Sequence, residues 1–335
     1  MSQSDGATAE RTGENDSPIV ARAPYWPSGT RWGAWLLVMG LAAAVVWSTA
    51  ALIQGWVPKA HGRGAGAGGR LEVFAGIPPL AWLVERIGGS QVEVGVLVQP
   101  GQDPHVFEPT PRQVMALGRA RLFFKIGMPF ENELVERIAA HHAGLTVVDA
   151  TQGIVKRAGV DEDEAGQPDP HVWLAPRQLR IMAGNVAEAL ARADAAHAGD
   201  YRRRAAAVAA ELDALDARIA RRLAPLGGQR FYVFHPAFGY FADAYGLVQE
   251  SVEVEGKSPT PRQLQALVRQ ARADGVRIIF LQPQFDPRAA EAVARAIGGS
   301  VVPMDSLAKD VPRNLDDITE KIAAALRMKD EGLGL

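Results

Sequence analysis

The sequence predicts an α/β protein of two lobes, each a four-stranded parallel sheet flanked by helices, joined by a long rigid helix. Three observations carry this. From Arg70 onward, short apolar runs alternate with helical stretches, the pattern of parallel strands covered on both faces. The alternation yields four strands and then four more. Between the two sets, residues 177–224 are almost purely helical in composition, rich in Ala, Arg, Glu and Leu.

The first four strands are expected at 71–75 (LEVFA), 92–98 (VEVGVLV), 121–126 (RLFFKI) and 145–149 (LTVVD), with helices at 78–87, 111–119 and 130–142. The second four are expected at 230–234 (RFYVF), 247–252 (LVQESV), 276–281 (VRIIFL) and 300–304 (SVVPM), with helices at 236–245, 261–273, 287–297 and 314–328. Two helix starts share one grammar. Thr110-Pro111-Arg112-Gln113 and Thr260-Pro261-Arg262-Gln263 place Thr at the N-cap, Pro at N1 and Gln at N3, a capping box. Ala175-Pro176-Arg177-Gln178 repeats the tripeptide without a capping hydroxyl.

The joining helix is read over 201–224. Leu212, Leu215, Ile219 and Leu223 recur at three- and four-residue steps and form one apolar stripe. Pro225 and Gly227-Gly228 end it. At 1.5 Å per residue such a helix is about 36 Å long, enough to run along both lobes. The run Tyr201-Arg202-Arg203-Arg204 is read as a solvated helix face.

The N-terminus is organised differently. Residues 1–31 are polar and read as disordered. Residues 33–53, within a segment 32–57, carry no charge and are long enough to span a bilayer as a helix. Trp32, Trp35, Trp47 and Trp56 suit the interfaces. Two readings stand: a signal peptide cut after Ala50, or an uncleaved anchor, which the length of the run favours. Either way the rest of the chain is exported. Residues 58–69 form a Gly-rich linker, 70–176 the first lobe, 177–227 the helical region and 228–330 the second lobe.

With 36 Lys+Arg against 38 Asp+Glu, the chain has no global pull toward nucleic acid. It has no cysteine, which excludes disulfides, thiolate metal sites, a cysteine nucleophile and a lipid-modified cysteine.

The sequence also nearly repeats itself. Residues 103–107 read DPHVF and residues 169–173 read DPHVW. His105 and His171 each follow an expected strand, and His235 directly follows the strand 230–234. Asp305, in VVPMDSL, follows the strand 300–304. Ligands of open parallel sheets bind beyond the carboxyl ends of strands, so two facing lobes would bring these four side chains to one point in the cleft. Imidazole nitrogen and carboxylate oxygen suit zinc and its neighbours. Asp103 and Asp169 could orient the adjacent rings or cap their own turns. His61, His141, His142 and His197 are read as solvent-facing, and Glu108, Glu253 and Glu255 as loop charges.

On these stretches, together with GKSPTPRQL and VVPMDSLAKD, the chain resembles the solute-binding receptors of zinc and manganese ABC importers, the metal-binding cluster A-I class. The resemblance covers residues 70 to about 328. It implies that His105, His171, His235 and Asp305 coordinate the metal, and that the cargo is Zn²⁺, with Mn²⁺ as the alternative. Histidine at the third position is what points to zinc. It implies a membrane permease as partner, a periplasmic or other extracytoplasmic location, and a monomer. The stretch 155–168, with Asp161, Glu162, Asp163 and Glu164 but no histidine, is read as a solvated loop rather than a cation collector. Two other functions are the alternatives: a zinc hydrolase or lyase with an open three-histidine site, against which stands the absence of HExxH and GxSxG motifs, and an adhesin with a structural zinc.

Overall fold

The computed structural model describes residues 69–139, 144–159, 168–253 and 259–332. The segment 32–57, the linker apart from Gly69, His61, His141, His142, Asp161 to Glu164 and Glu255 lie outside the described residues. Among those described, no helix is long and apolar enough to cross a membrane.

The first sheet is built from β1 (Leu71–Ala75), β2 (Val92–Val96), β3 (Leu122–Lys125) and β4 (Thr146–Asp149) in the order β2-β1-β3-β4. The second, from β5 (Arg230–Val233), β6 (Val248–Ser251), β7 (Ile278–Leu281) and β8 (Ser300–Pro303), repeats that order as β6-β5-β7-β8. Every pairing is parallel. The strand order reverses beside β1 in one sheet and β5 in the other, which creates a crevice at their carboxyl ends.

The first lobe carries α1 (Pro78–Gly88), α2 (Pro111–Leu117) and α3 (Pro129–Ala139). The helical region is a pair, α4 (Pro176–Ala193) and α5 (Ala198–Leu223), packed against each other. The second lobe carries α6 (Gly239–Tyr245), α7 (Pro261–Ala273), α8 (Pro287–Ile297) and α9 (Val311–Gly332). Both expected capping boxes form. Gln113 N donates to Thr110 Oγ1 and Thr110 N to Gln113 Oε1, and Thr260 and Gln263 repeat the exchange. Ala175 makes no side-chain cap.

Three helix starts differ from expectation by three residues, and one of them is α5, which begins at Ala198 and not 201. α6 begins at Gly239, not 236, because Ala237 N turns back to His235 O (2.8 Å) before helical geometry is reached. α9 begins at Val311, not 314, because Pro312 sits in the first turn, where its missing N–H costs nothing.

α5, with 26 residues, is about 39 Å long. Its buried stripe runs Tyr201, Ala205, Val208, Leu212, Leu215, Ile219, Leu223. Arg204, expected on a solvated face, instead donates to Ile87 O and Gly88 O at the end of α1 and to Gln91 Oε1. These are carbonyls a helix terminus leaves unpaired. Arg86 pairs with Glu211 on the first-lobe side. Arg218 and Arg222 pair with Asp316 and Glu320 of α9 on the second-lobe side. All three pairs are exposed and each contributes at most about 1 kcal/mol. They align the helix; the apolar stripe holds it.

One hydrophobic cluster runs through both lobes, from Val73 of β1 through Trp173 and Leu215 to Leu326 of α9. The second sheet divides its faces by the two-residue period of a strand. Phe231 and Val233 enter this shared core, while Tyr232 and Phe234 join a separate cluster with Ala271, Val293 and Ile297 beneath α7 and α8.

Leu215→Ala is expected to lower the unfolding free energy by about 2–5 kcal/mol, the range for a buried Leu. Urea unfolding followed by circular dichroism measures it, and a loss below about 1 kcal/mol would place Leu215 outside the load of the shared core.

Candidate metal centre

Each DPH stretch folds by the same device. Asp103 Oδ1 accepts from His105 N, and Asp169 Oδ1 from His171 N, both at 2.9 Å. The intervening Pro104 and Pro170 fix one backbone angle of each turn. The loop carrying His105 is closed at its base by Gln113 Nε2 donating to Leu97 O (2.8 Å). The loop carrying His171 is tied across the molecule: the Tyr240 hydroxyl of α6 accepts from Arg157 N and donates to Asp169 O. Trp173 Nε1 donates to Ser306 O at 2.7 Å, which joins this loop to the one after β8.

His235 follows β5 at the reversal point of its sheet. Gln282, directly after the neighbouring β7, holds its backbone from both sides. His235 N donates to Gln282 Oε1 (3.2 Å), and Gln282 Nε2 donates to His235 O (2.6 Å). The ring stacks on Phe285, with centroids 5.0 Å apart and an angle of 25°.

These supports bring three rings together. His105 Nε2 lies 3.2 Å from His171 Nε2, and His235 Nε2 lies 3.3 Å from His171 Nε2. All three ligand atoms fall within 4.8 Å of one another. Tetrahedral zinc with Zn–N bonds of about 2.0–2.1 Å requires nitrogens about 3.3–3.4 Å apart. The two short separations meet that requirement.

The outward nitrogens are engaged as a metal site demands. His171 Nδ1 pairs with Asp169 Oδ1 at 2.8 Å, and His235 Nδ1 with Glu253 Oε2 at 2.6 Å. With Nδ1–H donating, Nε2 keeps its lone pair for an ion. Burial, then the neighbouring His235 and His171, push the His105 ring well below its ordinary range. Burial and His171 do the same to His235. Both rings are therefore neutral, the ligating form, at pH 7. Burial alone would raise Asp169, but its bonds and charge contacts with His171 outweigh that and hold it low. Burial raises Glu253 to about 7. The rings line a cavity of about 10 Å³, room for one water-sized particle.

Asp305 follows β8 as expected but is not in the three-histidine group. Its Oδ1 accepts from Leu307 N (2.8 Å) in a turn of its own loop and from Gln284 Nε2 (3.2 Å) in the loop after β7. Glu253, read from sequence as a loop charge, is buried against His235, and that reading is corrected. Gln282, Gln284 and Phe285 carry no motif that marks them in the sequence. Glu253 and Gln282 sit just past β6 and β7, so the strand-end rule that found the histidines would have found them if applied to every polar side chain.

A family model described as zinc-uptake complex component A, periplasmic, matches residues 73–327. The metal ABC transporter substrate-binding lipoprotein FimA of Streptococcus parasanguinis is 28% identical over 307 residues, covering 84% of this chain and 98% of that protein. The high-affinity zinc uptake system protein ZnuA of Paracoccus denitrificans is 28% identical over 267 residues, covering 69% of this chain and 81% of that protein. A solved structure of a ZnuA deletion mutant plus zinc bound aligns with a TM-score of 0.73 at 36% identity, covering 77% of this chain and 98% of that one.

Asp169→Asn and Glu253→Gln are each expected to weaken zinc binding about 10–100-fold, the cost of losing a partner behind a ligand. Chelator competition reads this, with an unchanged helical signal as the control. Because burial holds the His105 and His235 rings well below their ordinary range, zinc affinity should stay nearly level from pH 8 through about 6.5 and fall only where those rings protonate, well below it. The linked effect on the metal-free fold has the same sign: the unfolded chain takes up these protons first, so stability drops as pH falls below about 6.5. A steep loss of zinc affinity already between pH 8 and about 7 would contradict rings held neutral by burial.

Proposed function

The chain belongs to the zinc-uptake complex component A periplasmic family, and on that footing we propose that it is an extracytoplasmic receptor that captures Zn²⁺ and hands it to the permease of an ABC importer. The observation that carries this reading is the set of three imidazoles from three separate strand-end loops, with His105 Nε2 and His235 Nε2 each about one tetrahedral edge from His171 Nε2. His105, His171 and His235 are the proposed nitrogen ligands and Asp305 the proposed oxygen ligand that completes the shell.

Zinc is favoured over Mn²⁺ because imidazoles predominate and manganese prefers oxygen-rich sites. A cavity of about 10 Å³ accepts an ion and not an organic substrate. The two buried carboxylates beside the rings, Asp169 and Glu253, are bonded to ring nitrogens, so they orient ligands rather than face a reacting group. Uptake and release need no wide hinge: a core shared by both lobes favours small movements of the loops that bear the ligands. The permease docks on the lobes as a single receptor copy presents them. The apolar run 33–53 places the receptor outside the cytoplasm, as anchor or as cleaved leader.

The test is competitive Zn²⁺ and Mn²⁺ titration of the full chain, with elemental analysis of the protein as purified. One zinc per chain is expected. His171→Ala should lose at least about 100-fold in affinity while keeping its helical signal, since a ligand matters more than the partners behind it. Metal removal should leave the protein folded, in contrast to domains that depend on structural zinc. A chain that takes up neither ion, or binds equally well without His171, contradicts the proposal.

A further inference from the structure

Resting on the receptor reading, we propose that Gln284 is a latch on Asp305: its amide holds the carboxylate away from the ion, and breaking that bond admits Asp305 to the shell. Gln284 lines the same cavity as the three histidines. Its Nε2 donates to Asp305 Oδ1 at 3.2 Å, and its Oε1 is buried with no hydrogen-bond partner. The side chain is thus oriented by the bond to Asp305 rather than by a network of its own.

The placement of the carboxylate makes this bond matter. Gln284 lines the histidine cavity and Asp305 does not. Two bonds on one oxygen anchor the carboxylate there, from Leu307 N at 2.8 Å and from Gln284 Nε2 to Asp305 Oδ1. The Leu307 bond spans two residues and belongs to the turn itself. The Gln284 bond crosses from the loop after β7 to the loop after β8, so it is the one that can open without undoing a turn. While it is closed, Asp305 stands outside the group formed by His105, His171 and His235. The ion therefore meets three imidazole nitrogens first and gains the Asp305 carboxylate when Gln284 lets go. Reclosure of the latch removes that oxygen and loosens the ion. A receptor that must release its cargo has use for a competitor to its fourth ligand. Gln284 acts through Asp305 and is a positioning residue.

The experiment compares wild type, Gln284→Met, Gln284→Ala, Asp305→Ala and the Gln284→Met/Asp305→Ala pair in the full chain. Methionine keeps the length without the N–H, and either single variant serves if the other does not fold. Zinc affinity by chelator competition is expected to rise about tenfold in Gln284→Met, the scale of one hydrogen bond to a charged group, with slower chelator-driven release. In the Asp305→Ala background the same change should have no effect. Visible spectra of the Co²⁺-loaded proteins supply a readout that general destabilisation would not mimic: Gln284→Met should alter the d–d bands, and the double variant should match Asp305→Ala. Weaker or unchanged binding in Gln284→Met, or an equal shift with and without Asp305, overturns the latch while leaving the receptor intact. Failure of the wild type itself to bind zinc overturns the receptor reading and the latch with it.

Discussion

Three imidazole nitrogens held within 4.8 Å of one another, with two of their separations at about one tetrahedral edge, are the arrangement on which the rest of the structure depends. Such a cluster tolerates no excess charge. Two protonated rings at that spacing would repel by about 5 kcal/mol even at an effective dielectric of about 20. Burial removes the difficulty by keeping His105 and His235 neutral. The carboxylates behind His171 and His235 then fix which nitrogen of each ring carries the proton. The apolar setting and the paired carboxylates thus answer one problem: presenting lone pairs to a cation without spending them on protons.

Holding that geometry across three loops requires the loops to be fixed to each other as well as to their own sheets. Trp173 bonds the His171 loop to Ser306, Tyr240 bonds it to α6, and Gln282 grips the backbone of His235. The exposed arginine pairs along α5 are too weak to set the relation of the lobes. The continuous apolar cluster does so, because separating the lobes would expose it to water. Rigidity in the scaffold and freedom in a few side chains is the division of labour that follows.

Much of this was legible in the chain. The eight strands follow from apolar runs whose length and spacing allow little else, and the Thr-Pro-Arg-Gln starts fall where the capping chemistry dictates. The convergence of His105, His171 and His235 follows from their position after strands. What the sequence withheld was non-local. Arg204 looks like its neighbours Arg202 and Arg203 until α1 is seen ending beside it. Glu253 looks like a loop charge because burial is decided by the packing of other elements over it. Asp305 satisfies the strand-end rule, yet a glutamine from another loop competes for its oxygen. The start of α6 is hidden because Pro236 is acceptable as a first helical residue, whereas the turn that aims His235 needs three more residues.

The core shared between the lobes has a consequence for how the molecule comes apart. Leu212, Leu215 and Ile219 of α5 pack in the same cluster as residues of both sheets, so neither half owns a complete interior. Each lobe synthesised alone would present a raw apolar face along the length of the missing spine. The two repeats of one strand order therefore behave as a single cooperative body, and exchanging one of them for its counterpart from a relative demands that the spine be exchanged with it.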